Sequence, residues 1–310
     1  MPKPRKIIRL VSLFALALLA MVALLARFST RVLADNAPEW MRAAAHETLP
    51  ENTKTAVAVI LLDDQQTTVK DNGEIETRYR RAYKILRPEA REDYGGVTIF
   101  FDNQSKISSF KAWTITADGR ELELKDKDAL EASATSYEVF SDIRLKHIKF
   151  SAVDPGNIVG YEYVQKKRPF MFEDDWSFQN LIPTRRARFS LQLPPGWEFT
   201  NYWANSPKKE PLSPTNNLYT WEIENIPAVE IEPDMPPFHA VESRMDIKYF
   251  PRDPNLRAKS SGSWKDIGVW YAGLTNASRV PSPELQRKVT ELTAGISDPF
   301  QQMQALASYV

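Results

Sequence analysis

The stretch IETRYRRAYKI, residues Ile75–Ile85, decides the fold of this chain. Its odd-numbered positions carry mostly large side chains, and its even-numbered positions are charged except for Ala82. Alternation with a period of two is the pattern of a β-strand, because successive side chains of a strand point to opposite faces. The sequence therefore predicts one long strand here, with one of its faces buried.

Further strands are predicted on both sides of this stretch, over residues 53–250. Asp118-Gly119 between two apolar runs predicts a tight hairpin, and Asp154-Pro155-Gly156-Asn157 predicts a second turn. Many short strands separated by Gly, Pro, Asn and Asp indicate a mainly β protein, with an antiparallel β-sandwich over residues 50–250. Four large side chains are expected to be buried in that sandwich: Tyr83, Ile85, Trp113 and Tyr161.

The spacing of apolar residues becomes helical at Ser263. Three helices are predicted, and each begins after a capping residue: Ser263, Ser282 or Asp298. The apolar residues of the third helix form one stripe, made of Phe300, Met303, Leu306, Ala307 and Val310. Because no stop signal follows, we expect the short helical segment at residues 263–310 to be the start of a further domain, and its stripe to be under-packed.

The first 34 residues have the features of a targeting segment. A basic head precedes an apolar stretch at residues 10–26, and Val32-Leu33-Ala34 resembles a small-residue cleavage site. Residues 1–34 are therefore interpreted as a signal peptide or as a retained N-terminal membrane anchor. We expect an exported protein, in the periplasm or cell envelope, that touches the inner membrane only through residues 10–26 if these are not cleaved.

Charge and cysteine content exclude several classes of protein. Residues 1–34 hold six basic residues and no acidic one, so the rest of the chain has 34 basic and 40 acidic residues. An acidic body argues against nucleic acid as a partner, because neutralising phosphate charge supplies most of that affinity. The chain has no cysteine, which excludes disulfides and a thiol nucleophile within it.

The order of several segments along the chain resembles a known bacterial family. The segments are residues 79–86, 115–120, 153–163, 193–197, 263–271 and 298–310. In that family of exported proteins, an uncharacterised β-rich N-terminal domain of unknown function precedes a transglutaminase-like domain. The resemblance implies that residues 263–310 are the helical start of an α+β transglutaminase-like domain.

The same resemblance implies a catalytic cysteine, histidine and aspartate further along the chain. Such a site pairs a thiolate with an imidazole base, which the aspartate orients. His46, His147 and His239 all precede the point at which the family's cysteine would stand. No catalytic residue is therefore assigned here, no cofactor is expected, and this chain is predicted not to be an enzyme by itself.

The best candidates for a binding surface are the aromatic residues Trp197, Tyr202 and Trp203, just after a Pro-Pro-Gly turn. They are predicted to form an exposed patch, whereas most other tryptophans lie at core spacing. The acidic cluster Glu173-Asp174-Asp175 lacks the spacing of a calcium loop and is interpreted as a solvated loop. No metal site is expected, because no histidine has a second His or Cys nearby.

Two functions remain open from the sequence. One is a non-catalytic accessory module of an exported transglutaminase-like protein, a cysteine hydrolase or acyltransferase. The other is an envelope protein whose β-sandwich itself binds a peptide or polysaccharide. The reading frame after Val310 distinguishes them, because only the first function requires a cysteine-bearing domain there.

Overall fold

A computed structural model of the chain describes residues 37–134, 141–257, 259–260 and 262–310. These residues form a mainly β protein with most of the helices toward the C-terminal end, as predicted. Contacts divide the chain into two units, one ending at Pro251 and one from Arg252 to Val310. The predicted targeting segment, residues 1–34, lies outside the described residues. Within the described residues, no helix has the length and apolar character needed to cross a membrane.

The described part of the first unit contains the strands and three short α-helices. Its strands are β1 Ala58–Val69, β2 Ile75–Ile85, β3 Gly96–Phe101, β4 Ser105–Ile115, β5 Glu121–Lys125, β6 Leu130–Ser133, β7 Arg144–Lys149, β8 Ile158–Lys167, β9 Glu173–Ser177, β10 Thr184–Gln192, β11 Glu198–Ala204, β12 Leu212–Thr215, β13 Leu218–Ile226 and β14 Arg244–Phe250. Its helices are α1 Glu39–Ala45, α2 Ala90–Tyr94 and α3 Phe238–Val241.

One large sheet and two small sheets organise this unit. The eight-stranded sheet has the order β12-β13-β10-β1-β2-β8-β4-β5, and the three-stranded sheets have the orders β11-β14-β9 and β3-β7-β6. The pairs are antiparallel as predicted, except that β1 and β10 run parallel. Hairpin turns fix the antiparallel pairing of neighbours in sequence, whereas β1 and β10 are joined by a long crossover and can therefore pair in parallel.

The main core lies on one face of the large sheet, against the small sheets. Tyr83, Ile85 and Tyr161 are buried there beside Ile99 of β3 and Ile148 of β7. The β11-β14-β9 sheet packs on the same large sheet through ring contacts, since Trp176 meets both Tyr79 and Phe189. The burial predicted for Tyr83, Ile85, Trp113 and Tyr161 is confirmed.

Helix α1 covers the opposite face of the large sheet. Met41 is fully buried among apolar side chains of β1, β2, β4 and β8, and Trp40 meets Trp113 edge to face at 6.0 Å. Gly160 of β8 permits this close packing. A Cβ atom at that position would lie 3.3 Å from Met41 Cε and 2.9 Å from the backbone oxygen of Arg81.

The α-helices described in the second unit are α4 Pro254–Arg257, α5 Trp264–Thr275, α6 Pro283–Thr293 and α7 Pro299–Tyr309. The predicted caps are present: the side chains of Ser263, Ser282 and Asp298 accept backbone N–H groups at the starts of α5, α6 and α7. No residue of these three described helices is buried. Phe300 and Met303 of the predicted stripe are 62% and 59% exposed.

Candidate binding site

A cavity of about 500 Å³ lies against the small sheet β11-β14-β9. Four carboxylates, two lysines and two ring side chains take part in its lining: Glu173, Asp174, Asp175, Asp246, Lys167, Lys248, Tyr202 and His239. Cavities of this volume are large enough for a small ligand or one side chain of a larger ligand. We therefore take this cavity as the candidate binding site.

Strand register brings the lining residues of the cavity together. Tyr202 of β11 is the Cα partner of Asp246 of β14, and Asp246 is the partner of Asp175 of β9. The next row holds Thr200, Lys248 and Glu173 in the same way. Since side chains two residues apart on a strand share a face, both rows belong to the same face of the sheet. That face carries an aromatic ring and a carboxylate pair side by side.

A buried carboxylate holds the histidine of the cavity in place. His239 lies on α3, and its Nδ1 is 2.9 Å from Oε1 of Glu242. Glu242 is only 2% exposed, whereas the His239 side chain is 62% exposed. Arg244 donates to the backbone oxygen of His239 and pairs with Asp246 at 3.0 Å. The imidazole is therefore fixed through one ring nitrogen, and its other nitrogen is available to a ligand.

Asp174 differs from its neighbours because it is largely buried. Nε2 of Gln65 lies 3.5 Å from one carboxylate oxygen, and Nζ of Lys167 lies 3.8 Å from the other. Burial raises the pKa of the Asp174 carboxyl, and Lys167 partly opposes this shift. Asp174 is therefore a partly compensated charge at the inner edge of the cavity.

A second polar cluster lies between the large sheet and its covering sheets. The carboxylate of Asp63 is fully buried and accepts hydrogen bonds from the Tyr79 hydroxyl, at 2.7 Å, and from Arg81. Burial opposes the charge of Arg81, but Asp63 beside it holds the pKa of the guanidinium well above its ordinary value. Burial also raises the pKa of nearby Tyr163 to about 12. This cluster is an ion pair within the core, and we assign it a structural role.

Among the three predicted binding residues, Tyr202 alone has the expected exposure. Tyr202 is 67% exposed and lines the cavity. The predicted exposure is wrong for Trp197 and Trp203, which are buried: Trp197 packs edge to face on Phe172, and Trp203 stacks on Phe178. Consecutive residues of a strand face opposite ways, so Trp203 turns inward where Tyr202 turns outward. Binding by any of the three remains a prediction.

Sequence reasoning underestimated the acidic cluster and His239. Glu173-Asp174-Asp175 is part of strand β9, which corrects the interpretation as a solvated loop. The alternation in residues 244–250 is the local signal that could have placed Asp246 and Lys248 on one face. The pairing of β14 with β9 and β11 had no local signal, so the joined rows were not predicted. Within the described parts of the chain, no group of three His, Asp or Glu side chains is placed to hold a metal ion.

Comparisons with known proteins identify a family and a fold. The family model of a domain of unknown function with solved structure, DUF3857, matches residues 71–230. The crystal structure of a "putative protease" from Parabacteroides distasonis is similar with a TM-score of 0.64 at 15% identity. The match covers 82% of this chain and 50% of that chain, so this chain spans half the length of that protein. At this identity the likeness shows the fold alone.

Two other solved structures are much less similar. Yeast LTA4 hydrolase in complex with bestatin has a TM-score of 0.31 at 11% identity, over 68% of this chain and 32% of that chain. A "putative nutrient binding protein" from Legionella pneumophila has a TM-score of 0.29 at 8% identity, over 83% and 87%. At these TM-scores neither bears on fold or function. No curated protein matches the chain.

Proposed function

The chain belongs to the DUF3857 family, and on that premise we propose that it is the non-catalytic N-terminal accessory module of an exported protein with a transglutaminase-like catalytic domain. The main support for this proposal is the position of the family match along the chain. It lies wholly within the β unit, residues 71–230, and the chain goes on into the separate helical unit that starts at Arg252. This arrangement fits a β module placed before the start of another domain.

The comparison with the Parabacteroides protein supports a catalytic partner. That protein is described as a "putative protease", and half of its length has no counterpart in this chain. We propose that the parent of this chain likewise carries its catalytic residues outside residues 1–310. The reaction class is hydrolysis or transfer of an acyl group through a cysteine thiolate.

The chain's own residues support a non-catalytic role. Acyl transfer of this kind needs a thiolate beside an imidazole, and the sequence contains no cysteine. The described histidines lie on separate elements: His46 follows α1, His147 lies on β7, and His239 lies on α3. The β module would then position the catalytic domain or its substrate in the periplasm or cell envelope, held at the inner membrane if residues 10–26 stay attached.

The reading frame past codon 310 tests this function. We expect it to continue into a domain with one cysteine followed by a histidine and an aspartate. The protein of residues 35–310 should neither hydrolyse nor cross-link a peptide amide, and the longer protein should do so until its cysteine is changed to alanine. A stop codon directly after Val310 would contradict the proposal and favour an independent envelope-binding protein.

Cell fractionation tests the proposed location. We expect the protein in the periplasmic or membrane fraction, and N-terminal sequencing should give Asp35 if the segment is cleaved. Recovery from the cytoplasm with Met1 intact would contradict export.

A further inference from the structure

We propose that the cavity on the β11-β14-β9 sheet binds a primary ammonium group, presented as a lysine side chain of a peptide. The inference concerns the described residues of the β unit, and it holds whether or not a catalytic domain follows them. It starts from the pair formed by His239 and Glu242. An exposed imidazole that is anchored by a carboxylate only 2% exposed has a fixed orientation, which a freely solvated histidine lacks.

The anchored ring offers a hydrogen-bond acceptor to the cavity. An ionised carboxylate only accepts, so Nδ1 of His239 donates to Glu242 across 2.9 Å. In the neutral imidazole Nε2 is then an acceptor. A neutral His239 ring therefore suits a ligand that supplies a donor, as an ammonium group does with its three N–H bonds.

Two of the three carboxylates of β9, those of Glu173 and Asp175, add acceptors to the cavity. The third carboxylate, that of Asp174, pairs with Lys167, and Asp246 of β14 pairs with Arg244. Glu173 and Asp175 are exposed, and neither forms an ion pair within the described part of the chain. A cationic ligand would compensate these charges.

Tyr202 supplies the surface for the cation and its methylene stem. Its ring is 67% exposed and occupies the same row of the sheet as Asp246 and Asp175. A cation over an aromatic face near carboxylates gains both cation–π attraction and Coulomb energy. A lysine side chain combines an ammonium group with a long apolar stem that can lie against the ring.

The lining favours a peptide over an amino sugar. A sugar ring is held by broad aromatic platforms, but Trp197 and Trp203, which would have extended Tyr202 into one, are buried. The cavity is open and about 500 Å³ in volume, enough for one long side chain whose backbone runs outside.

The experiment is an NMR titration of the ¹⁵N-labelled protein with four small probes. The probes are Nα-acetyl-lysine amide, its Nε-acetylated form, glucosamine and N-acetylglucosamine. We expect the lysine probe to shift the amides of β9, β11 and β14 with saturation, and the Nε-acetylated probe to leave them unchanged. Equal shifts from both lysine probes, or no saturable shift at these strands, would overturn the ammonium site. Tighter binding of glucosamine than of the lysine probe would overturn the assignment to a peptide.

Two substitutions at exposed positions of the cavity test whether its residues bind the lysine probe. Because both side chains are exposed, neither substitution should affect folding. Tyr202→Ala and Asp175→Asn should each weaken the lysine probe roughly fivefold, the size expected for a lost cation–π contact or surface charge pair. Tyr271→Ala and Asp71→Asn are the matched controls, at an exposed tyrosine of α5 and an exposed aspartate of the β1–β2 turn. If the site variants bind as tightly as the controls, the cavity is not the site.

Discussion

Single residues show how the β core accommodates charge. Asp63 is fully buried, faces Arg81 across the β1–β2 pair, and accepts from both Arg81 and Tyr79. Asp63→Asn keeps the shape but leaves the guanidinium without a counter-charge. We expect the free energy of unfolding to fall by about 3 kcal/mol. This is the lower end of the range for breaking a buried ion pair, because the Arg81 side chain is still 20% exposed to water. Urea denaturation measures this loss.

The double variant separates the charge effect from simple disruption. Removing both charges in Asp63→Asn/Arg81→Met should recover much of the stability lost in Asp63→Asn, because no unpaired charge then remains in the core. Asp71→Asn, on an exposed turn, should change the free energy of unfolding by less than about 0.5 kcal/mol. A double variant less stable than Asp63→Asn would contradict this account.

For Asp174, by contrast, we expect removal of the carboxyl group to stabilise the folded protein, and we expect this effect to depend on pH. Because burial raises its pKa, the folded protein binds a proton at Asp174 more readily than the unfolded chain does. Stability from this group is thus present at low pH and is lost as the pH rises from the unfolded value, about 3.9, through the folded one. Asp174→Asn should therefore be more stable than the natural protein at pH 7, and this advantage should vanish below about pH 3.9.

Thermal unfolding at pH 7 and pH 3.5 checks this difference. Asp175→Asn is the matched control, since Asp175 is the exposed neighbour of Asp174 on the same strand. A Tm advantage of Asp174→Asn that persisted unchanged at pH 3.5 would show that side-chain charge is not its cause. A lower Tm at pH 7 would mean that the contacts with Gln65 and Lys167 outweigh burial.

At the scale of elements, helix α1 shields one face of the large sheet from solvent. Met41 is fully buried there, so Met41→Ala leaves a cavity and should lower the free energy of unfolding by about 2–4 kcal/mol. Met303→Ala on α7 is the control, because Met303 is 59% exposed and its truncation should cost less than about 0.5 kcal/mol. Similar losses for both variants in urea denaturation would contradict the packing of α1.

Local patterns predicted the elements, and they failed where distant segments meet. The alternation in IETRYRRAYKI predicted β2, and the caps Ser263, Ser282 and Asp298 predicted three helix starts. Both signals lie within a few residues. The parallel β1–β10 pair and the joined rows of β9, β14 and β11 depend on chain segments that are far apart in sequence.

The candidate site shows the same limit at the level of side chains. Tyr202 and Trp203 are adjacent, and both were predicted to be exposed because they follow a Pro-Pro-Gly turn. Once they belong to strand β11, their opposite orientations follow from the strand period. Recognising that strand from its sequence would have kept Tyr202 as a candidate and placed Trp203 in the core.

At the scale of the molecule, the two units differ in how their residues are held. The β unit buries large side chains on both faces of its main sheet, whereas none of the residues of the described helices α5, α6 and α7 is buried. Helices of 11 or 12 residues are marginal in water unless packing adds to their hydrogen bonds. The stability of the two units should therefore differ within one chain.

Hydrogen exchange measures this difference directly. We expect the amides of α5, α6 and α7 to exchange fast, and those of β2 and β8 to exchange only as slowly as global unfolding allows.

Ser282→Ala removes the cap of α6 and should lower the opening free energy of the amides in that helix by about 1 kcal/mol. The amides of β2 should be unchanged and serve as the internal control. Limited proteolysis should likewise cut residues 298–310 before any strand of the large sheet. Helices as strongly protected as β2 would show that the second unit has a stability of its own that its exposed side chains do not explain.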